Sequence, residues 1–312
     1  MFNIIEKRGW YFLISALVIG AGLIAMIYST VQFGTPVRLS VDFTGGTFLE
    51  LKFEQAVQPA EVRQVFVDRG YTDTKVQTTA DERTVLIRSD FLESETKAEI
   101  KSVLGERYGA LEELRFEAVG PTIGGEVTRA ATLAVATAAI VILGFIVVAF
   151  RRVPNAFRYG TCATASLIHD VLVAMGFFSI FGLLRGWEVD SLFLTAILTV
   201  IGFSVQDTIV VFDRIRENIP KRRGESFEMI VNRSILETIH RSLATQLNAI
   251  FIMVAILLFG GATMKQFIAT LLVGMISGTY SSIFTAVPLL VVWEKGDVGR
   301  LFRRLRGREA IT

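Results

Sequence analysis

Six runs of nearly uninterrupted apolar residues constrain this 312-residue sequence more than any other feature, because each is close to the ~20 residues that a helix needs to cross the hydrocarbon core of a bilayer. They cover residues 10–28, 130–150, 157–184, 191–212, 243–259 and 267–293. Composition agrees: 52% of the residues are apolar and the mean hydropathy is +0.51, too high for a soluble chain of ordinary make-up. The first run follows Lys7 and Arg8, as the core of a secretory signal would. It ends in Ile27-Tyr28-Ser29-Thr30 without a small-x-small cleavage site, and we read it as a retained helix.

Lys and Arg concentrate in alternate connections. Lys7 and Arg8 precede the first span, Arg151, Arg152 and Arg158 join the second to the third, seven basic residues lie between Asp213 and Arg241, and six lie between Lys295 and Arg308. The opposite loops hold only Arg185 and Lys265. The positive-inside rule then places both termini in the cytoplasm and residues 29–129 outside. That outer segment carries 12 Lys and Arg against 17 Asp and Glu, so an acidic domain stands opposite a basic rim. The basic residues are topology signals, and nothing in their distribution points to nucleic acid. Cys162 is the single cysteine, which excludes an intrachain disulfide and a thiolate metal cluster. Four regions result: the N-terminus and first helix (1–28), the outer domain (29–129), helices two to six (130–293) and a basic cytoplasmic tail (294–312).

From residue 47 to 119 the pattern changes. Leu49, Leu51 and Phe53 alternate as a half-buried strand requires. Pro59 opens a helix whose inner face is Val62, Val65 and Phe66, stopped by Gly70. Short strands near 75–78 and 84–88 flank a polar tip at Ala80-Asp81-Glu82, a second helix over 94–108 buries Ile100, Val103 and Leu104, and a last strand turns Leu114, Phe116 and Ala118 inward. The order β-α-β-β-α-β predicts a ferredoxin-like α+β domain inserted between helices one and two of an α-helical membrane protein. It has no cluster of His, Cys or carboxylates at ligand spacing, so we expect a gripping or binding module, with a passive spacer as the alternative. Glycine pairs mark both junctions, Gly45 and Gly46 before the first strand and Gly124 and Gly125 after the last; they allow hinges or tight turns. Neither pair has the flanking residues of a phosphate-binding loop.

Charged groups at bilayer depth cost at least ~2.5 kcal/mol on insertion scales, so each is a functional candidate. Asp207 lies six residues, roughly 9 Å of helix, before Asp213 at the inner end of span four. Gln206 precedes it, and Thr195, Thr199 and Gly202 fall on nearly the same face as Gln206. His169 and Asp170 sit near the middle of span three, with Cys162 and Ser166 on the same stripe; such a pair can relay protons or serve as a structural hydrogen bond. Arg241 opens span five, with Thr245 and Asn248 at i+4 and i+7. A cation near Asp207 would favour its charged form and burial its protonated form, which are the opposed effects a reversible proton site needs. Gly274, Gly278, Ser281 and Ser282, and Ala134 and Ala138, offer close helix packing.

These residues resemble the SecF family of accessory subunits of the bacterial Sec preprotein translocase, related to the resistance-nodulation-division transporters. Asp42-Phe43-Thr44-Gly45-Gly46-Thr47 is similar to the family's DFTGGT signature, Leu167-Ile168-His169-Asp170 to its third-helix element, and the stretch from Asp207 to Asn218, DTIVVFDRIREN, to its most specific motif. Asn232, Ser234, Thr238, Arg241 and Ser242 resemble the element that opens helix five. Phe203, Gln206, Ser242 and Gln246 depart from the family's usual Tyr, Asn, Thr and Ser.

The resemblance implies a SecD partner with a comparable six-helix fold, contact with the SecYEG channel and with YajC and YidC, a preprotein substrate outside the membrane, and no cofactor or metal. It also implies proton flow through Asp207 and Arg241 coupled to movement of the outer domain. The residues themselves further suggest His169 and Asp170 as relay groups, Gln206, Thr199, Thr245 and Asn248 as the lining of the polar path, and Asp207 facing Arg241. The expected function is proton-motive-force-driven preprotein export rather than enzymatic catalysis. The alternatives are a proton-coupled lipid or drug exporter of the same superfamily, an intramembrane aspartyl protease using Asp170 and Asp207, and an inert scaffold. The protease lacks a GxGD motif here, and the exporters usually join two six-helix halves in a much longer chain.

Overall fold

The computed structural model describes residues 3–79, 82–151, 155–261 and 264–296. The expected loop tip at Ala80 and Asp81 and the basic tail from residue 297 lie outside them. The chain divides into two compact units, one formed by Leu39–Leu133 and the other by the remainder.

In the first unit a four-residue turn of helix, α2 (Val41–Thr44), leads into β1 (Gly46–Phe53), α3 (Pro59–Val67), β2 (Lys75–Thr78), β3 (Thr84–Ser89), α4 (Ser94–Tyr108) and β4 (Leu111–Val119). The strand order is β2-β3-β1-β4 and every neighbouring pair is antiparallel, the split βαβ arrangement of a ferredoxin-like domain. Alternation along β1 sends Leu49, Leu51 and Phe53 to one face, where they meet Val62, Val65 and Phe66 of α3, Val85 and Ile87 of β3, and Ile100 and Leu104 of α4.

Strand β4 departs from the expected alternation. Glu50 pairs with Arg115 but Leu51 pairs with Glu113, so one residue, Leu114, is left over as a bulge. The extra residue reverses the facing of everything before it. Leu111 and Phe116 therefore pack on the core while Leu114 is 47% exposed, and the inward placement expected for Leu114 is corrected. Glu113 turns to the helical side, where Lys97 and Lys101 of α4 bind its two oxygens at 3.2 and 2.6 Å and Lys97 Nζ sits 3.7 Å above the Phe116 ring.

The second unit holds α1 (Arg8–Phe33), most of α5 (Pro121–Ala149), α6 (Ala156–Arg185), α7 (Ser191–Lys221), α8 (Phe227–Phe259) and α9 (Lys265–Ser281), the last continued by a widened π turn (Ser282–Ala286) into α10 (Val287–Glu294). Six candidate spans result among the described residues, with α9, the π turn and α10 forming one. The π turn precedes Pro288, which has no N–H to give and whose ring would clash with the carbonyl four residues back in a regular helix. Helix ends follow local chemistry: Gly34 and Gly186 close α1 and α6 in the left-handed conformation, and the Asp190 and Ser226 side chains cap α7 and α8.

Helices α6, α7 and α9 form the core of this unit, and glycines set their spacing. A Cβ on Gly22 of α1 would lie 2.8 Å from Gly176 Cα of α6. One on Gly278 of α9 would lie 3.0 Å from Ser204 Cβ of α7, and one on Gly274 would collide with Val200. Helices α7 and α8, at 31 and 33 residues, are longer than the ~20 that the hydrocarbon requires, so each carries about three turns beyond it.

Two outcomes test the sheet. Leu51→Ala should destabilise the domain by about 2–5 kcal/mol and Leu114→Ser by less than about 0.5, read from the exchange of β1 and β4 amide hydrogens in the full chain; equal effects would contradict the bulge. Hydrogen bonding from Lys101, then Lys97, holds Glu113 below the usual carboxylate range. Its contribution is therefore present above its unfolded value of about 4.3 and is lost as pH falls through the lower folded value. The partly exposed site keeps that contribution small. Protection of β4 in wild type should fall between pH 5 and pH 3 by more than in Glu113→Gln.

Candidate functional site

Asp170, 0% exposed in the middle of α6, has no water to solvate it and collects hydrogen bonds from its neighbours instead. Ser204 Oγ of α7 donates to Oδ2 at 2.6 Å, Ser281 Oγ of α9 to Oδ2 at 2.8 Å, and Ser277 Oγ, one turn earlier on α9, to Oδ1 at 2.7 Å. His169 Nδ1 lies 3.1 Å from Oδ1. These four contacts occupy about all the acceptor sites of an ionised carboxylate. With its proton on Nδ1, His169 accepts at Nε2 from Ser15 Oγ of α1, 3.0 Å away. Ser166, one turn before Asp170, donates to Ser281 Oγ at 2.9 Å, and the His169 ring stacks on Tyr280. The His169–Asp170 pair is thus the centre of a network that joins α1, α6, α7 and α9.

Asp207 lies three residues after Ser204 on α7 and is 5% exposed. Its partner is Gln246 of α8, whose Nε2 donates to Oδ2 at 2.7 Å; Ser242, one turn earlier on α8, turns toward the same carboxylate. Ser242 Oγ and Gln246 Oε1 are buried without a hydrogen-bond partner among the described residues. Gln246 also lines a largely apolar groove between α8 and α9, with Leu243, Leu247, Ile276 and Tyr280.

The facing expected between Asp207 and Arg241 is not found. One residue along a helix is a rotation of about 100°, so burying Ser242 and Gln246 against α7 carries Arg241, Thr245 and Asn248 to the exposed side of α8. Thr245 Oγ1 there returns to its own helix at Arg241 O, 3.0 Å. The same rotation exposes Gln206 beside the buried Asp207, and half-buried Thr199 bonds to Thr195 O at 2.8 Å. Within this chain the expected polar path is therefore an outward-facing stripe on α7 and α8. Ser242 and Gln246 were legible as a polar pair at i and i+4 in the apolar start of span five. Ser15, Ser204 and Ser277 gave no such signal, since single serines are common in spans.

The remaining motif residues act as clasps. Asn218 Nδ2 donates to Ser234 Oγ at 3.0 Å and to Glu237 Oε2 at 2.9 Å, Arg214 Nε meets Glu237 at 2.6 Å, and Asn232 Oδ1 accepts from Ile4 N at 2.8 Å. Glu228 takes Arg8 at 2.8 Å and Lys295 at 2.5 Å. In the sheet unit, Asp42, Phe43 and Thr44 form α2, capped by Ser40, and Gly45 and Gly46 follow at φ +71° and +100°. Gly124 and Gly125 lie inside α5 rather than in a free connection. A Cβ on Gly124 would come 2.6 Å from Gly45 N, and Thr128 Oγ1 donates to Phe43 O at 3.2 Å, so the two glycine pairs pack on each other. No group of three or more His, Cys, Asp or Glu among the described residues is placed to hold a metal ion.

Replacing Asp170 with Ala would strand three hydroxyl groups and the imidazole in a dry site. We expect a loss of about 3 kcal/mol or more, seen as a lower thermal midpoint in detergent, while Cys162→Ala on the same helix stays within about 1–2 kcal/mol of wild type.

Comparison with known proteins adds identity to this geometry. Residues 99–296 match the family described as protein export membrane protein SecD/SecF, C-terminal, and residues 31–57 match the SecD/SecF GG motif. The protein translocase subunit SecF of Anaerolinea thermophila is 49% identical over 308 residues, covering 97% of this chain and 98% of that one. The protein translocase subunit SecDF of Bacillus subtilis is 32% identical over 93% of this chain but only 38% of its own length. The crystal structure of SecDF from Thermus thermophilus, described as a translocon-associated membrane protein, superposes with a TM-score of 0.76 at 29% identity over 94% of this chain and 39% of that one. Six spans, the split βαβ sheet, the glycine-pair motif and full-length similarity lead to one conclusion: this multi-pass membrane chain belongs to the SecF family of protein translocase subunits, with a role in protein export.

Proposed function

We propose that this chain works with SecD to couple the proton motive force to late steps of preprotein export, as a transport subunit and not an enzyme. The observation that carries this reading is Asp207, a carboxylate buried within a span and held by a neutral amide rather than by a fixed cation. Such a group can change charge without breaking an ion pair. Asp207 takes a proton from the outer side, and Arg241 resets it through the partner's helices. His169 and Asp170 form a second proton-holding pair, tied to α7 through Ser204.

The exposure of Arg241, Thr245 and Asn248 on α8 and of Gln206 on α7 supports the pairing with SecD. Polar and charged side chains facing lipid are costly, and a matching polar face on a second six-helix unit removes that cost. The basic connections support a cytoplasmic position for both termini and an outer one for the sheet domain, where it meets preprotein emerging from SecYEG, with YajC and YidC as further neighbours. Protonation of Asp207 changes helix packing, and the outer domain moves to hold the preprotein against backsliding. A potential of 100 mV supplies about 2.3 kcal/mol per charge, enough to bias a two-state rearrangement.

Asp207→Asn and Arg241→Ala should each reduce gradient-stimulated export in membrane vesicles to the level measured without a gradient, while SecD still co-purifies. Undiminished stimulation in both variants would leave only a scaffolding role.

A further inference from the structure

Resting on the proposed role of Asp207 as the proton site, we infer that Gln246 is a positioning residue that reads the protonation state of that carboxylate by turning its amide over. With Nε2 given to Asp207 Oδ2, the other end of the amide, Oε1, is buried without a partner, and so is Ser242 Oγ on the preceding turn. An ionised carboxylate has only acceptors and can do nothing for an amide oxygen. A protonated one carries an O–H, the donor that this oxygen lacks.

Rotation of the amide by half a turn about its last bond exchanges Nε2 and Oε1 and leaves the backbone in place. Asp207 then donates its acid proton to Oε1, and the amide N–H groups are released toward other acceptors, Ser242 Oγ being the unpartnered one on that face. Each charge state selects one amide orientation, and each keeps a hydrogen bond between the two side chains. The groove that Gln246 shares with Leu243, Leu247 and Tyr280 gives the amide room to turn.

The neighbouring elements bring other titratable groups. α6 brings His169 and Asp170, engaged with Ser204 a turn away, and Tyr159, stacked edge-on with Phe212. α9 brings Tyr280, bonded to Tyr11 O; α8 carries His240 and Arg241 on its exposed side, and Glu237 in the clasp with Arg214. Among the described residues none of these is hydrogen-bonded to Asp207, so its immediate response to a proton falls on Gln246.

The test is infrared difference spectroscopy of the full chain co-expressed with SecD, in nanodiscs, as pH is stepped. A protonated-carboxyl band present in wild type and absent in Asp207→Asn marks the acid. In Gln246→Met, which keeps the volume without the amide, that band should move to higher frequency because the O–H has lost its acceptor. In wild type with carbon-13-labelled glutamine, a side-chain carbonyl band should shift at the same pH midpoint and be silent in Asp207→Asn; this measurement decides alone should Gln246→Met not assemble. An Asp207 band unmoved by Gln246→Met, with silent glutamine, would overturn the role of Gln246 and leave Asp207 as the proton site. No Asp207-dependent band at all would overturn both.

Discussion

A carboxylate removed from water must find its hydrogen bonds in the protein, and Asp170 finds them on two other helices and on its neighbour His169. Ser204, Ser277 and Ser281 bond it directly, and His169 extends the network to Ser15. Bonds of 2.6–2.8 Å require backbones close enough for short serine side chains to reach, and glycine supplies that closeness. Gly278 lies against Ser204 on the α7–α9 seam. On the α1–α6 seam, Gly22 meets Gly176, while seven residues earlier on both helices Ser15 meets His169. Equal offsets in the same direction mean that α1 and α6 run parallel and in register over two turns. The hydrogen-bonded hub and the glycine contacts are two parts of one constraint.

Much of the fold could be read from the residues because periodicity reports burial. The six spans, the strand alternation in Leu49, Leu51 and Phe53, and the helix faces of Val62, Val65, Phe66, Ile100 and Leu104 are all of this kind. Periodicity failed at Leu114, where a single unpaired residue inverted the pattern and no local sequence signal marks the bulge. The π turn before Pro288 was hidden for a related reason: proline predicts a disturbance but not whether a helix kinks, ends or widens.

The site was legible as residue types and not as partners. Depth alone singled out Asp170 and Asp207, and both are buried. Which neighbour each meets depends on helix rotation, which one sequence does not state. Arg241, which opens span five below a polar stripe, was the expected partner for Asp207, yet Ser242 and Gln246 occupy the face that packs on α7. The glycine pairs carried a similar ambiguity: conformational freedom suggests a hinge, while the packing of Gly124 on Gly45 shows that small size serves close approach there.

Asp170 and Asp207 differ less in depth than in how completely their surroundings answer them. The network around Asp170 is saturated: every acceptor site of the carboxylate has a donor, and any change in its charge disturbs three hydroxyl groups and an imidazole together. Asp207 has one bond from a neutral amide, and two polar atoms beside it lack partners. A saturated carboxylate resists change and fixes the helices that hold it; an undersatisfied one gains from a new proton or a new neighbour. Ser204 and Asp207, three residues apart, put both kinds on one turn of α7. The same helix is therefore anchored immediately beside the group most able to switch, and a local change at Asp207 has a fixed point to act against.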